Sequence, residues 1–243
     1  DPHPITWLQS ATEPRFWLQV LNWVVAPVLT VIVLAWLART AFVLTRAWLT
    51  LRRLPTVVEP DRLALAVART GAGRVRCIEG SVPIAFCAGA VRPEIVVSEG
   101  LTERLDDDQL DAVLLHERHH VREREPMIRV ASEAAAQVLF FCPLARWWSR
   151  RRIELAELRA DRAAVREVGP QPVAAALCAL GSAIPSQAAF SGAVELRVAQ
   201  LLGDPLPLER PTPGLVATSL LGFPFAIAVV GSVIETVLRM AGG

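Results

Sequence analysis

Residues 16–38 carry no charged side chain, and little more than Gln19 and Asn22 interrupts the apolar run. About 20 such residues cross a bilayer as a helix, so the pattern predicts a transmembrane helix over 16–38. Trp17, Trp23 and Trp36 stand toward its ends, where indoles prefer the headgroup region. Arg39, Arg46, Arg52 and Arg53 come after it, against Arg15 alone before it. By the positive-inside rule, residues 1–15 are extracytoplasmic, 39–54 form a juxtamembrane helix, and the domain beyond residue 54 faces the cytoplasm. A second uncharged stretch over 214–234 contains Pro224, which membrane helices tolerate, and predicts a second span with a tail at 235–243. The alternative for each stretch is a buried core helix.

Between the spans the pattern changes. A helical period over 61–69 is followed by strand-like runs at 74–78, 83–87 and 94–97, with glycine and proline between them. Helical patterns then cover 106–125, 127–142, 144–168, 173–183 and 193–202. The class is α+β, mostly helical, with a small sheet. A proline-rich stretch near 204–213 reads as a stiff linker, which sets the working domain at 55–205 and the linker at 206–213.

Composition agrees with a membrane-attached protein: 53% of the 243 residues are apolar and 20% charged. A net charge of +1 gives no global field for nucleic acid, and no direct nucleic-acid binding is expected. All 25 basic residues are arginine, and tyrosine is absent. Cys77, Cys87, Cys142 and Cys178 lack C-x-x-C spacing and fit reduced cytoplasmic thiols. The Asp1 start reads as a fragment or a processed product.

The chemistry lies on the helix over 106–125. Asp106 at the N-cap with Gln109 three residues on forms a capping pattern, and Pro126 is expected to stop the helix. The same helix carries His116, Glu117, Arg118, His119 and His120, an H-E-x-x-H pattern. Histidines at i and i+4 lie on one helix face and can reach one metal ion, while Glu117 can act as general base on an attacking water without being a ligand. His119 points elsewhere. Four-coordinate catalytic zinc needs a third protein ligand, and His3 lies beyond the first span, so that ligand is a carboxylate or a thiolate.

Glu157 and Asp161, at i and i+4 on the helix over 144–168, share a face. Glu157 can bind the metal while Asp161 accepts the second imidazole proton of a histidine ligand. Ala160 between them allows close helix packing. Two alternatives stay open: Glu154, Glu157 and Asp161 as surface carboxylates paired with Arg150 or Arg162, and Cys142 as a thiolate ligand.

The strings RPEIVVSEGL, LDAVLLHERHHVRERE, FFCPLARWW and ELRADRAAV resemble the membrane-integrated zinc metallopeptidases of the beta-lactam-sensor regulator, or antirepressor, type. They are also similar to the related heat-shock and CAAX-processing membrane metalloproteases. The resemblance covers roughly 60–205. It implies a gluzincin-like zinc (Zn2+) peptidase domain with His116, His120 and Glu157 as metal ligands, Glu117 as the catalytic base and Asp161 behind the ligands. It also implies that residues 84–89 form an edge strand to which an extended substrate peptide adds.

The implied activity is regulated proteolysis at the cell membrane by a multi-pass protein whose peptidase domain faces the cytoplasm. Its substrate is a protein or peptide, with a cytoplasmic transcriptional repressor as one candidate. A non-catalytic membrane receptor or scaffold retaining the fold is the alternative. In the sensor regulators a penicillin-binding domain follows the last span, whereas this sequence ends at Gly243, so the resemblance does not extend to antibiotic sensing.

With tyrosine absent, the oxyanion donor is an arginine such as Arg162, His119 or a backbone N–H. Trp147, Trp148, Arg150, Arg151 and Arg152 are expected to meet membrane lipid at the cytoplasmic surface, the alternative being solvated arginines over a packed tryptophan pair.

Overall fold

The computed structural model describes residues 25–181, 191–203 and 210–241. The expectations for 1–15, for the start of the first span and for most of the linker lie outside them. The described elements are α1 (Ala26–Arg53), α2 (Asp61–Thr70), β1 (Val75–Ile78), β2 (Ala85–Ala88), β3 (Glu94–Ser98), α3 (Glu99–Arg104), α4 (Asp107–Arg122), α5 (Glu125–Val138), α6 (Pro143–Val168), α7 (Pro170–Gly181), α8 (Ser191–Leu202) and α9 (Pro213–Ala241). The fold is α+β and mostly helical. It divides into two compact units, Ala41–Ser132 with Trp148–Arg210, and Asp1–Thr40 with Glu133–Trp147 and Pro211–Gly243.

In the first of these units the sheet order is β1-β3-β2, with β1 parallel and β2 antiparallel to β3. The central strand β3 is the apolar one, and Ile95, Val96 and Val97 are fully buried. The outer side of β1 is covered by the segment before α2: Val57 N–H donates to the Cys77 carbonyl and Glu79 N–H to that of Pro55. That leaves the outer edge of β2 without a paired strand among the described residues.

The helices arise from local signals. Gly71 caps α2 in the left-handed conformation, where no Cβ interferes, and its N–H donates to the Val67 carbonyl. Ser98 ends β3 and caps α3 through its side-chain oxygen, which accepts from Leu101 N–H. Asp106 and Gln109 form the expected reciprocal capping box on α4.

Leu110, Val113 and Leu114 of α4 join Leu63, Ala66, Ile95, Val97, Leu101 and Leu105 in one core. Each buried leucine there stabilises the fold by about 1.5–3 kcal/mol. Arg118, on the same helix, donates to the Thr70 carbonyl and pairs with Glu167, which ties α4 to the ends of α2 and α6.

Pro126 does not stop α4. The helix ends at Arg122, Arg124 turns the chain at φ 53°, and Pro126 stands in the first turn of α5. Proline lacks only an N–H that the first turn of a helix leaves unbonded, so it starts helices as readily as it ends them.

In the second unit, the described part of α1 exposes Leu29, Val31, Val33, Leu34 and Leu37. As a whole, α1 is long and apolar enough to cross a membrane, the one such helix that the described residues contain. It continues unbroken through Ala38 to Arg53, so the expected juxtamembrane helix is part of it. Helix α9 runs through Pro224 to Ala241, and residues expected as a tail are helical. Gly222 of α9 lies directly against the Phe141 carbonyl.

Candidate metal centre

α4 and α6 supply the site. His116, Glu117 and His120 are buried on α4, each no more than 9% exposed. The half-buried Glu157 and the buried Asp161 come from α6, along which Ala156, Ala160 and Ala164 are buried too. The alternative of surface carboxylates paired with Arg150 or Arg162 does not describe Glu157 or Asp161; Glu154 does pair along α6, but with the buried Arg151. Cys142 is buried and lies outside the donor cluster.

The Nε2 atoms of His116 and His120 stand 3.1 Å apart. His116 Nε2 lies 3.4 Å from Glu157 Oε2, and His120 Nε2 3.7 Å from Glu157 Oε1. A tetrahedral zinc ion with ligand bonds of about 2.0–2.1 Å requires donor separations of about 3.3 Å. The three distances bracket that value, and two imidazoles with one carboxylate are a donor set that suits zinc. The residues present therefore fit the ion.

Asp161 is fully buried, and its Oδ1 stands 2.9 Å from His116 Nδ1. Despite burial, hydrogen bonds from His116 and Arg197 hold this carboxyl down at about 2, so it is ionised and can only accept. A proton must then sit on Nδ1, and Nε2 of His116 is directed at Glu157 and His120.

Burial would depress His116, but its hydrogen bonds with Asp161 and Glu157, with the charge of Glu117, outweigh it and push it up to about 9. At His120, burial and the neighbouring His116 charge outweigh the Glu157 charge and lower it to about 4. For Glu157, burial is overcome by the hydrogen bond and charge of His116, which bring it to about 2.

Glu117 behaves differently. Burial dominates and, with the Glu157 charge, raises it to about 7, even though the Cys87 backbone of β2 hydrogen-bonds its carboxylate. A carboxyl poised near neutrality beside the donor cluster is the state a general base needs. Ser98 N–H donates to the Ile84 carbonyl, so residues 84, 86 and 88 turn their backbone groups toward β3, and Ala85 and Cys87 turn theirs to the open edge.

His119 is half-buried beside His120, ring centroids 6.4 Å apart, and outside the donor set. Arg162 is exposed. The arginine at the site is one that the sequence pattern does not single out: Arg197 of α8, whose Nε and Nη2 donate to Asp161 at 2.6 and 2.7 Å. Its signal is a lone charge on the apolar side of α8, four residues before the partly buried Leu201. In the run at 150–152, Arg151 is buried and pairs with Glu154, and Arg152 holds Glu125 at 2.7 Å; Trp148 is exposed, which departs from the alternative of solvated arginines over a packed tryptophan pair.

The protease HtpX homolog of Pyrococcus furiosus is 35% identical over 78 residues, 30% of this chain and 27% of the relative. That of Methanopyrus kandleri is 35% identical over 63 residues, 26% of this chain and 20% of the relative. That of Desulforapulum autotrophicum is 33% identical over 78 residues, 30% and 25% of the two chains. The chain thus spans from a fifth to just over a quarter of the length of these curated relatives. A far longer match covers residues 5–172, which takes in both histidines, Glu117, Glu157 and Asp161 and ends before Arg197. That match is to the BlaR1 peptidase M56 family, and with more than two thirds of its residues inside it the chain belongs to this family of peptidases.

Proposed function

We propose that the chain is an integral-membrane zinc metalloendopeptidase in which His116, His120 and Glu157 hold the ion, Glu117 is the general base and Asp161 orients His116. The observation that carries the reading is the convergence of three donor atoms, all within 4.8 Å of one another, beside a buried carboxyl that is not one of them. Zinc, when bound there, supplies Lewis-acid polarisation of a peptide carbonyl and lowers the pKa of water to about 7.

The protein's own groups do the remainder. Glu117 takes a proton from the attacking water and delivers it to the leaving amine. Asp161 keeps the proton on His116 Nδ1, so Nε2 stays a donor atom. An extended substrate segment adds along the outer edge of β2, where Ala85 presents its backbone groups next to the Cys87 backbone that bonds the Glu117 carboxylate.

The apolar length of α1 supports membrane insertion, and the uncharged 214–234 stretch within α9 supports a second crossing. The arginines at 39, 46, 52 and 53 favour a cytoplasmic peptidase domain. A cytoplasmic transcriptional repressor is the substrate that the resemblance favours.

Protein purified in detergent, never exposed to chelator, is expected to contain about one zinc per chain and to cleave an unstructured polypeptide. Chelation abolishes cleavage and zinc restores it. Absence of bound metal removes the reading. Metal without cleavage of any extended peptide replaces it with the receptor or scaffold.

A further inference from the structure

We propose that Arg197 is a positioning residue of this centre: from α8 it locks both acidic side chains of α6 and so sets the ligand geometry before a metal arrives. This rests on the zinc site proposed above.

The geometry is a fork. Nε and Nη2 of Arg197 donate to the two oxygens of Asp161 at 2.6 and 2.7 Å, which leaves Nη1 3.5 Å from Glu157 Oε2. A planar guanidinium holding a carboxylate by two parallel bonds fixes its rotation as well as its position. The oxygen of Asp161 that accepts from Nη2 is Oδ1, the same atom that accepts from His116 Nδ1. Orientation therefore passes from the guanidinium to the carboxylate to the imidazole, and Nε2 of His116 points where the guanidinium sets it.

Charge gives a second reason. Glu157 and Asp161 lie one turn apart on α6, where two like charges repel. Asp161 is fully buried, so water does not screen that repulsion, and Arg197, with a side chain 19% exposed, offsets both charges at once. Helix α8 is itself fixed on α6 at a second point. Gln200, one turn past Arg197, donates through Nε2 to the Leu158 carbonyl at 3.0 Å. The guanidinium is thus presented by an anchored helix instead of reaching in from a free loop.

The test is zinc affinity, read by competition against a chromophoric chelator on the full chain in detergent, with melting of metal-free and zinc-loaded protein measured in parallel. Arg197→Met is expected to weaken zinc binding about 10- to 100-fold, the loss typical when the partner behind a metal ligand is removed. Arg197→Lys, which keeps the charge and loses the fork, is expected to fall between Met and wild type. In an Asp161→Asn background the Arg197→Met loss is expected to shrink, because the relay to His116 is already cut and only the contact with Glu157 remains.

A purely structural role would lower the melting temperature of both forms equally and leave zinc affinity within about threefold of wild type. That result overturns the proposal, as does an undiminished Arg197→Met loss in the Asp161→Asn background. If the Met variant does not fold, the Lys variant decides by the same criterion. Arg162→Ala, exposed on the same helix as Asp161, is the control and is expected to bind zinc as wild type does. Wild-type protein that binds no zinc would instead overturn the proposed function.

Discussion

The Nε2 atoms of His116 and His120 face each other across 3.1 Å, with the two rings inclined at 73°. Two lone pairs at that distance repel, so in the metal-free protein the pair shares a proton. The pushed-up His116, at about 9, holds it, and His120, at about 4, stays neutral. A metal ion needs both nitrogens unprotonated and must displace that proton. Titration calorimetry at pH 7.5, in buffers of different ionisation enthalpy, is expected to show about one proton released per zinc bound. Apparent affinity is expected to rise up to about tenfold per pH unit from pH 7 to 9, as the competing proton is lost. Affinity independent of pH over that interval would contradict this account of the pair.

Glu117→Gln is expected to keep zinc and to lose at least about 100-fold in proteolytic rate, since the amide cannot accept the proton. It also carries a signature in the metal-free protein. The folded carboxyl sits at about 7 against an ordinary 4.5, so its protonated form is the one the fold favours. That stability is fully present below pH 4.5 and is lost as pH rises through 7. The neutral glutamine does not undergo this loss. Metal-free Glu117→Gln is therefore expected to be more stable than wild type by about 1–3 kcal/mol at pH 8, and equal to it near pH 4, by thermal or denaturant unfolding.

The features legible in the sequence are those that repeat within one helix. His116 with His120, Glu157 with Asp161, and Asp106 with Gln109 all lie three or four residues apart, and a helix places such pairs together without any knowledge of the fold. Arg197 meets Asp161 across 36 residues, and Arg152 meets Glu125 across 27, contacts that exist only once the helices are assembled. The helical bounds of α1 differ from the apolar pattern for another reason. Arginines after Ala38 end the apolar run, but arginine is a good helix former and the backbone continues to Arg53. Pro126 is ambiguous because the first turn of a helix accepts the residue that its interior rejects.

Cys87, on β2 beside the general base, is pushed up to about 12, chiefly by burial and further by the charges of Glu117 and Glu125. At pH 8 its thiolate fraction is on the order of one part in ten thousand. Iodoacetamide at pH 8 is therefore expected to label the exposed Cys178 of metal-free protein at least about 100-fold faster than Cys87, as measured by mass spectrometry. The Cys87 rate should still climb with pH beyond 10. Equal labelling at pH 8 would mean that the edge of β2 is open at the thiol, contrary to its half-buried position.

Gly222 tests how α9 is held against the turn that joins α5 to α6. The Phe141 carbonyl occupies the place where a Cβ on Gly222 would be, and the neighbouring contacts depend on that close approach. The Phe141 and Phe223 rings meet edge to face at 5.5 Å, and Leu144 N–H donates to the Ser219 hydroxyl at 2.9 Å. Backbone cannot yield as a flexible side chain does, so Gly222→Ala must move the helix and loosen both contacts. A cost of about 1–3 kcal/mol is expected, in line with overpacking elsewhere. Gly214, in the first turn of the same helix, has open space around its Cβ position, and Gly214→Ala should be neutral or slightly stabilising. Melting of the detergent-solubilised variants distinguishes the two. A fall for Gly222→Ala with none for Gly214→Ala identifies a packing contact, whereas equal behaviour of the two would show that α9 does not rest on Phe141.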